Sequence, residues 1–196
     1  ARVIETFEAR GEKITWCLIG EPSSFDRLGD VIRIGRRGSL CGTLTVHGVQ
    51  GHVAYPDKAD NPIHRLAPAL AELTAEVWDA GNDCFPPTSF QVSNIQAGTG
   101  AENVIPGRLV ASFTFRYSMA LTEADIRRRV HAILDRHGLR YELDWRLSGA
   151  PFLTTGTTLI EATQSALRRL GGQPARADTG DGTSDGRFVA PTAAEV

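Results

Sequence analysis

Residues 108–147 read RLVASFTFRYSMALTEADIRRRVHAILDRHGLRYELDWRL, and this stretch decides the fold. Leu109, Ala111, Phe113, Phe115 and Tyr117 alternate with Arg108, Ser112, Thr114 and Arg116, the two-residue period of a strand with one buried face. Thr122 then stands as a helix N-cap, with Asp125 at the reciprocal capping position and Leu121 placed to staple against Ile126. Ile126, Val130, Ile133 and Leu134 form a helical stripe, which Gly138 ends. Tyr141, Leu143, Trp145 and Leu147 alternate with Glu142, Asp144 and Arg146 in a further strand.

Moving outward, Phe90 and Val92 alternate with Ser89, Gln91 and Ser93 as a strand. Asp60-Asn61-Pro62 opens a helix with proline at its first position. Its stripe is Ile63, Leu66, Ala67, Leu70, Leu73 and Val77, and Gly81 ends it. Pro68 is expected to bend this helix or to lie very near its start. Leu40, Leu44 and Val46 alternate imperfectly with Thr43, Thr45 and His47 as the first strand. The order strand, helix, strand, strand, helix, strand is the split βαββαβ unit, an antiparallel sheet with two helices on one face. Its other face and its edges need cover, which points to pairing with a second copy.

Outside residues 38–151 the pattern changes. Val3, Ile4 and Phe7 share a helical face, closed by Gly11 at the C′ position. Ile14 to Ile19 (ITWCLI) is a continuous apolar run, expected to be a strand buried on both faces as in a parallel sheet. It leads into Gly20-Glu21-Pro22-Ser23-Ser24, and an acid at the carboxyl end of such a strand stands where open α/β sheets hold ligands. Position alone leaves Glu21 open between that role and capping a turn. Ile160, Thr163, Leu167 and Leu170 make a last helical stripe, closed by Gly171-Gly172. The first helix has no upstream cap and the last residues no polar tail, so residues are expected to be missing on both sides.

Composition narrows the function classes. The chain has 196 residues, enough for a core without disulfides, and its 41% hydrophobic and 22% charged residues are ordinary for a globular protein. A net charge of −2 argues against nucleic acid as a partner. No apolar run approaches the ~20 residues of a membrane span, and no signal peptide is visible. Cys17, Cys41 and Cys84 fit neither a disulfide framework nor a CxxC metal site and suggest a reducing, cytoplasmic setting.

Three glycine-rich clusters stand out. In Gly48-Val-Gln-Gly51-His52-Val-Ala-Tyr55-Pro56, His52 sits between a glycine turn and an aromatic-proline turn. It reads as a donor to a developing oxyanion, against the ordinary reading of a loop histidine bonded to backbone. His47, His64, His131 and His137 take ordinary readings on a strand face, on helix surfaces and at a helix end. The cluster from Gln96 to Gly107 lacks the lysine and the following helix of a phosphate loop. Gly182-Thr183-Ser184-Asp185-Gly186 fails the calcium-loop pattern.

GEPSS (20–24), GRRGSL (35–40), HGVQGHVAYP (47–56), DNP (60–62), NIQAGTGAENVIPG (94–107), FTFRYS (113–118) and GTSDGRF (182–188) together resemble the succinyl-diaminopimelate desuccinylases. That family belongs to the aminoacylase and carboxypeptidase superfamily of di-zinc hydrolases. The resemblance runs from end to end and implies an α/β protein in which pieces of a mixed-sheet catalytic domain (1–37 and 152–196) flank an inserted ferredoxin-like lid that dimerises (38–151). It implies two zinc ions, with cobalt as an alternative, and a metal-bridged hydroxide that cleaves N-succinyl-LL-2,6-diaminopimelate to succinate and LL-diaminopimelate in the cytoplasm. Glu21 matches a carboxylate ligand of one zinc, and His52 the lid histidine that holds the oxyanion in the partner's site. Asn103 matches a lid asparagine on the substrate. Arg36 and Arg116 match arginines that grip substrate carboxylates. Gly182 and Thr183 match a substrate loop; Tyr55 and Arg37 are weaker matches.

This sequence also departs from the family. The HxD motif, the bridging aspartate, the adjacent glutamate pair that supplies the general base and the C-terminal histidine ligand are absent. This stretch on its own is therefore expected to be inactive and to hold zinc weakly or not at all. Asp181 stands where the family has a small residue, which puts the detail of the substrate loop in question. Two rivals remain: a sister hydrolase, such as acetylornithine deacetylase or a carboxypeptidase, and a non-catalytic dimerisation or ligand-sensing module.

Overall fold

The computed structural model describes residues 2–180, 184–191 and 193. In chain order the elements are α1 (Arg2–Ala9), β1 (Val31–Arg33), β2 (Gly35–Arg36), β3 (Gly38–His47), β4 (Gly51–His52), α2 (Pro62–Ala75), β5 (Ser89–Ala97), β6 (Val104–Ile105), β7 (Arg108–Tyr117), α3 (Glu123–Arg136), β8 (Tyr141–Gly149), β9 (Phe152–Leu153), α4 (Thr158–Gly171), β10 (Arg176–Asp178) and α5 (Gly186–Val189). They fall into two compact units, one of residues 39–80 and 87–148, the other of residues 1–38, 81–86 and 149–196.

The first unit is the split βαββαβ arrangement. Its four-stranded sheet has the order β5-β7-β3-β8, so the first and third strands of the motif lie side by side in the centre. β5 and β7 pair antiparallel, Ser89 opposite Arg116 and Ala97 opposite Leu109, with a bulge between Val92 and Asn94. β7 alternates strictly between buried and half-buried positions once past Arg108. Leu40, Leu44 and Val46 of β3 meet Phe113 and Phe115 of β7, Leu66 and Leu73 of α2, and Ile126, Val130 and Leu134 of α3 in one core. Trp78 stands edge-on to Phe115 with ring centroids 4.6 Å apart. Gly42 is required by that packing, because a Cβ there would lie 2.2 Å from the Phe113 ring.

The helix ends follow local chemistry. The Thr122 hydroxyl accepts from the Asp125 N–H at 3.1 Å and donates to the Asp125 carboxylate at 2.7 Å. The Thr122 hydroxyl and the Arg128 guanidinium together hold the Asp125 carboxyl below its usual range. Asn61 caps α2 through the Ile63 N–H at 3.0 Å. Of the two alternatives for Pro68, the structure excludes a place very near the start of the helix, since Pro68 lies near its middle. The expected end at Gly81 needs correction: the helix ends at Ala75 with Glu76 as its C-cap. Val77 therefore lies beyond the helix and is 77% exposed, while Ala69, not Ala67, joins Leu66 and Leu73 in the buried stripe. Arg129 terminates this region, donating to the carbonyl oxygens of Val77 and Trp78.

The second unit carries small sheets. β1 pairs parallel with β10, and β2 antiparallel with β9. Asp30 accepts the N–H groups of Asp26, Phe25 and Arg27, and these bonds hold its carboxyl below the usual range. Here the sequence reading of residues 14–19 is overturned. They form a single bridge at Trp16 and no strand, and Trp16 and Leu18 are 56% and 72% exposed. Apolar content cannot bury two faces of an extended segment without neighbours hydrogen-bonded along it. α4 forms as its stripe predicts, and Gly172 closes it at φ +72°.

Candidate functional site

His52 is carried by a two-residue ribbon. β4 pairs antiparallel with β6, Gly51 opposite Ile105 and His52 opposite Val104. The approach to it is tight. Gly48 donates its N–H to Gly107 O at 2.8 Å, and a Cβ on Gly48 would lie 2.1 Å from Asp60 O. The N–H of Val53 donates to Asn103 O at 3.1 Å, and the N–H of Tyr55 closes a turn on His52 O at 2.9 Å. The Ala54 N–H donates to His52 Nδ1 at 3.1 Å. This geometry brings the side-chain amide of Asn103 to 3.5 Å from His52 Nε2. The Tyr55 ring lies 5.9 Å from the imidazole, and Lys58 Nζ lies over the Tyr55 ring, 5.3 Å from its centroid. His52, Asn103 and Tyr55 are thus one exposed cluster. Arg116 is half-buried on β7 opposite Ser89, on a different strand from that cluster.

In the other unit, Glu21 and Arg36 meet directly. Arg36 Nη2 lies 3.0 Å from Glu21 Oε2, and Nη1 donates to Gly180 O at 3.3 Å. Arg36 is 7% exposed, so this guanidinium is buried and already engaged. Next to it, Arg33 pairs with Asp178 at 3.0 Å. Burial opposes ionisation of Asp178, but the Gly180 N–H and the Arg33 guanidinium outweigh it and hold the carboxyl below its usual range. A cleft of about 110 Å³ is lined by Cys17, Ile19, Glu21, Ser23, Arg36 and Ser184, among others. Gly182 and Thr183, with Asp181, lie outside the described residues.

Sequence reasoning did not find three features of these sites. The pairing of Glu21 with Arg36 leaves no periodic trace over its 15-residue separation. The Ala54 amide is invisible because any residue but proline supplies it. Cys17 could have been found: Cys17, Ile19 and Glu21 alternate along an extended segment and so share a face. Among the described residues no group of three or more His, Cys, Asp or Glu stands close enough together to hold a metal ion. No described helix is long and apolar enough to cross a membrane.

Comparison with known proteins adds a second line. Residues 34–142, more than half of the chain, match the peptidase dimerisation domain of the M20 group. A protein of Methylococcus capsulatus named succinyl-diaminopimelate desuccinylase is 67% identical over 195 residues, covering 100% of this chain and 52% of the relative. One of Thioalkalivibrio sulfidiphilus with the same name is 64% identical, again over 100% of this chain and 52% of the relative. The chain therefore spans about half the length of the curated relatives it matches. Among solved structures, an M20 family metallo-carboxypeptidase from Sulfolobus solfataricus superposes with a TM-score of 0.76 at 15% identity, over 98% of this chain and 65% of that one. An aminopeptidase from Bacillus cereus gives 0.70 at 15% identity, over 94% and 48%. At such identities these two show the fold alone.

Proposed function

The chain belongs to the M20 peptidase dimerisation domain family, and from that premise we propose that it is the lid and adjoining segments of an amidohydrolase acting on N-succinyl-LL-2,6-diaminopimelate. The products are succinate and LL-diaminopimelate, on the route to lysine. The observation that carries this reading is the 67% identity, over the whole chain, to a relative named for that reaction. A cytoplasmic location accompanies it, in keeping with Cys17, Cys41 and Cys84 as free thiols. We also read the protein as a homodimer through the βαββαβ unit, with residues 38–151 as the lid and 1–37 and 152–196 as parts of the catalytic domain.

The chemistry assigned to this chain's own residues is binding and charge stabilisation. Amide hydrolysis puts negative charge on the carbonyl oxygen as the tetrahedral intermediate forms. A hydrogen-bond donor held in place before that charge develops lowers the barrier. In this proposal His52 donates that bond, and Asn103, at 3.5 Å from its ring, donates to the substrate beside it. Arg116 receives a substrate carboxylate through its planar fork. Arg36 is a carboxylate receptor whose fork is shared with Glu21, so substrate competes with an existing ion pair. Tyr55 supports the imidazole by ring contact. Gly182 and Thr183 contact substrate.

The reaction also calls for a divalent metal, zinc or cobalt, to supply hydroxide near neutral pH. The described residues do not fit such a centre by themselves. Glu21 offers one carboxylate, and one of its oxygens already accepts from Arg36. Glu21 is proposed as one ligand only, and no step is routed through the metal.

The test is substrate choice. The longest natural polypeptide containing this chain, loaded with zinc, is expected to release succinate from N-succinyl-LL-diaminopimelate with a kcat/KM well above that for N-acetylornithine or C-terminal peptide bonds. A preference for either of the latter would assign it to a sister deacylase or carboxypeptidase. No hydrolysis of any of them would leave the dimerisation module.

A further inference from the structure

We infer that the backbone N–H of Ala54 fixes the tautomer of His52, so that the neutral ring carries its proton on Nε2, and that Asn103 holds this proton through its side-chain oxygen until a ligand oxygen replaces it. The inference rests on the reading of His52 as a donor and supplies what makes it one.

The argument is one of hydrogen-bond accounting. The N–H groups of residues 53, 54 and 55 are all used: Val53 on Asn103 O, Ala54 on His52 Nδ1 and Tyr55 on His52 O. A backbone N–H can only donate, so at 3.1 Å the Nδ1 it meets must be an acceptor without a proton. In the neutral imidazole the proton then sits on Nε2.

Asn103 is the second constraint. An amide nitrogen facing Nε2 at 3.5 Å would donate to it only if Nε2 were bare, which would put the proton on Nδ1, against the Ala54 N–H. Both contacts cannot be satisfied that way. The backbone donor is fixed by the β4–β6 ribbon and its turn, whereas the terminal amide can exchange its nitrogen and oxygen by rotating half a turn. The oxygen of Asn103 therefore faces Nε2–H, and its NH₂ keeps its donors. At 3.5 Å this contact is at the outer limit of a hydrogen bond, so a carbonyl or carboxylate oxygen displaces it at little cost. The Nε2–H of His52 and the NH₂ of Asn103 are then the donors the cluster offers to an acceptor-only ligand. Ala54 is a positioning residue, acting through His52.

The experiment is nuclear magnetic resonance on the whole chain with ¹⁵N-labelled histidine and backbone, without substrate and at a pH above the ordinary imidazole range. We expect the His52 spectrum of the Nε2–H tautomer and a coupling across the hydrogen bond between the Ala54 amide nitrogen and His52 Nδ1. Replacing the Val53–Ala54 amide with an ester, which removes only that N–H, is expected to raise the share of the Nδ1–H form. An Nδ1–H ring in the unmodified chain, absence of the coupling, or unchanged tautomer populations in the ester would each overturn the inference. The coupling needs no variant, so a misfolded ester does not block the test. No reading uses turnover, so a different substrate leaves the result intact, and a failed tautomer leaves the proposed reaction standing.

Discussion

Helices α3 and α4 are both 14 residues long and both carry an apolar stripe, yet α3 buries four side chains and α4 none. Ile126, Val130, Ile133 and Leu134 of α3 enter a core with β3 and β7. Leu170, at the same kind of position in α4, is 88% exposed. The strands repeat the contrast. β7 alternates into the core, while the more apolar run at residues 14–19 has no fully buried residue and leaves Trp16 and Leu18 exposed. An apolar stripe states which face of an element gains by burial. Whether the gain is realised depends on what lies opposite. The stability of the described chain is accordingly concentrated in the βαββαβ unit.

The contrast can be broken by substitution. Phe115→Ala removes a fully buried ring from the core of the first unit and is expected to cost about 3–5 kcal/mol in denaturant unfolding. Leu170→Ala should stay within about 0.5 kcal/mol of the parent. Equal effects would contradict the account. Gly42→Ala forces a methyl against Phe113 and is expected to destabilise by about 1–3 kcal/mol through overpacking. A neutral result would mean that the ring has room to move.

Smaller effects sharpen the same comparison at the helix ends. Thr122→Ala removes a cap bond and should lower the thermal midpoint by the equivalent of about 1 kcal/mol. Thr157→Ala, at an N-cap with no side-chain bond, should leave that midpoint in place. Two tyrosines of the first unit give a pH signature. Burial first, then the nearby Glu123, pushes Tyr117 up to about 12; burial first, then the Asp135 hydrogen bond, does the same for Tyr141. Ionisation is then easier in the unfolded chain. Stability is full below pH 10 and falls as pH rises from 10 towards about 12. Unfolding curves across that window check it, and Tyr141→Phe should flatten the decline.

Much of the first unit was legible in the sequence because its signals are local. The alternation from Leu109 to Tyr117, the Thr122 cap and the Gly138 stop each span a few residues and agree with one another. The second unit resisted because burial there depends on neighbours distant in sequence, as the open run around Trp16 and Leu18 shows. The same division holds for the candidate sites. His52 was marked by its glycine and proline flanks. Its contact with Asn103 comes from a ribbon of two residues per strand, too short for any period to reveal. The burial of Arg36 against Glu21 is likewise a tertiary fact with no local sign.

The central claim is that the exposed imidazole of His52, on the well-packed unit, is there to stabilise charge on a substrate oxygen. Turnover of N-succinyl-LL-diaminopimelate by the longest natural polypeptide containing this chain tests it most directly, with His52 intact and as His52→Ala. The account predicts a loss of roughly 10²–10³ in kcat with the unfolding curve unchanged. An undiminished kcat in the folded variant would contradict it.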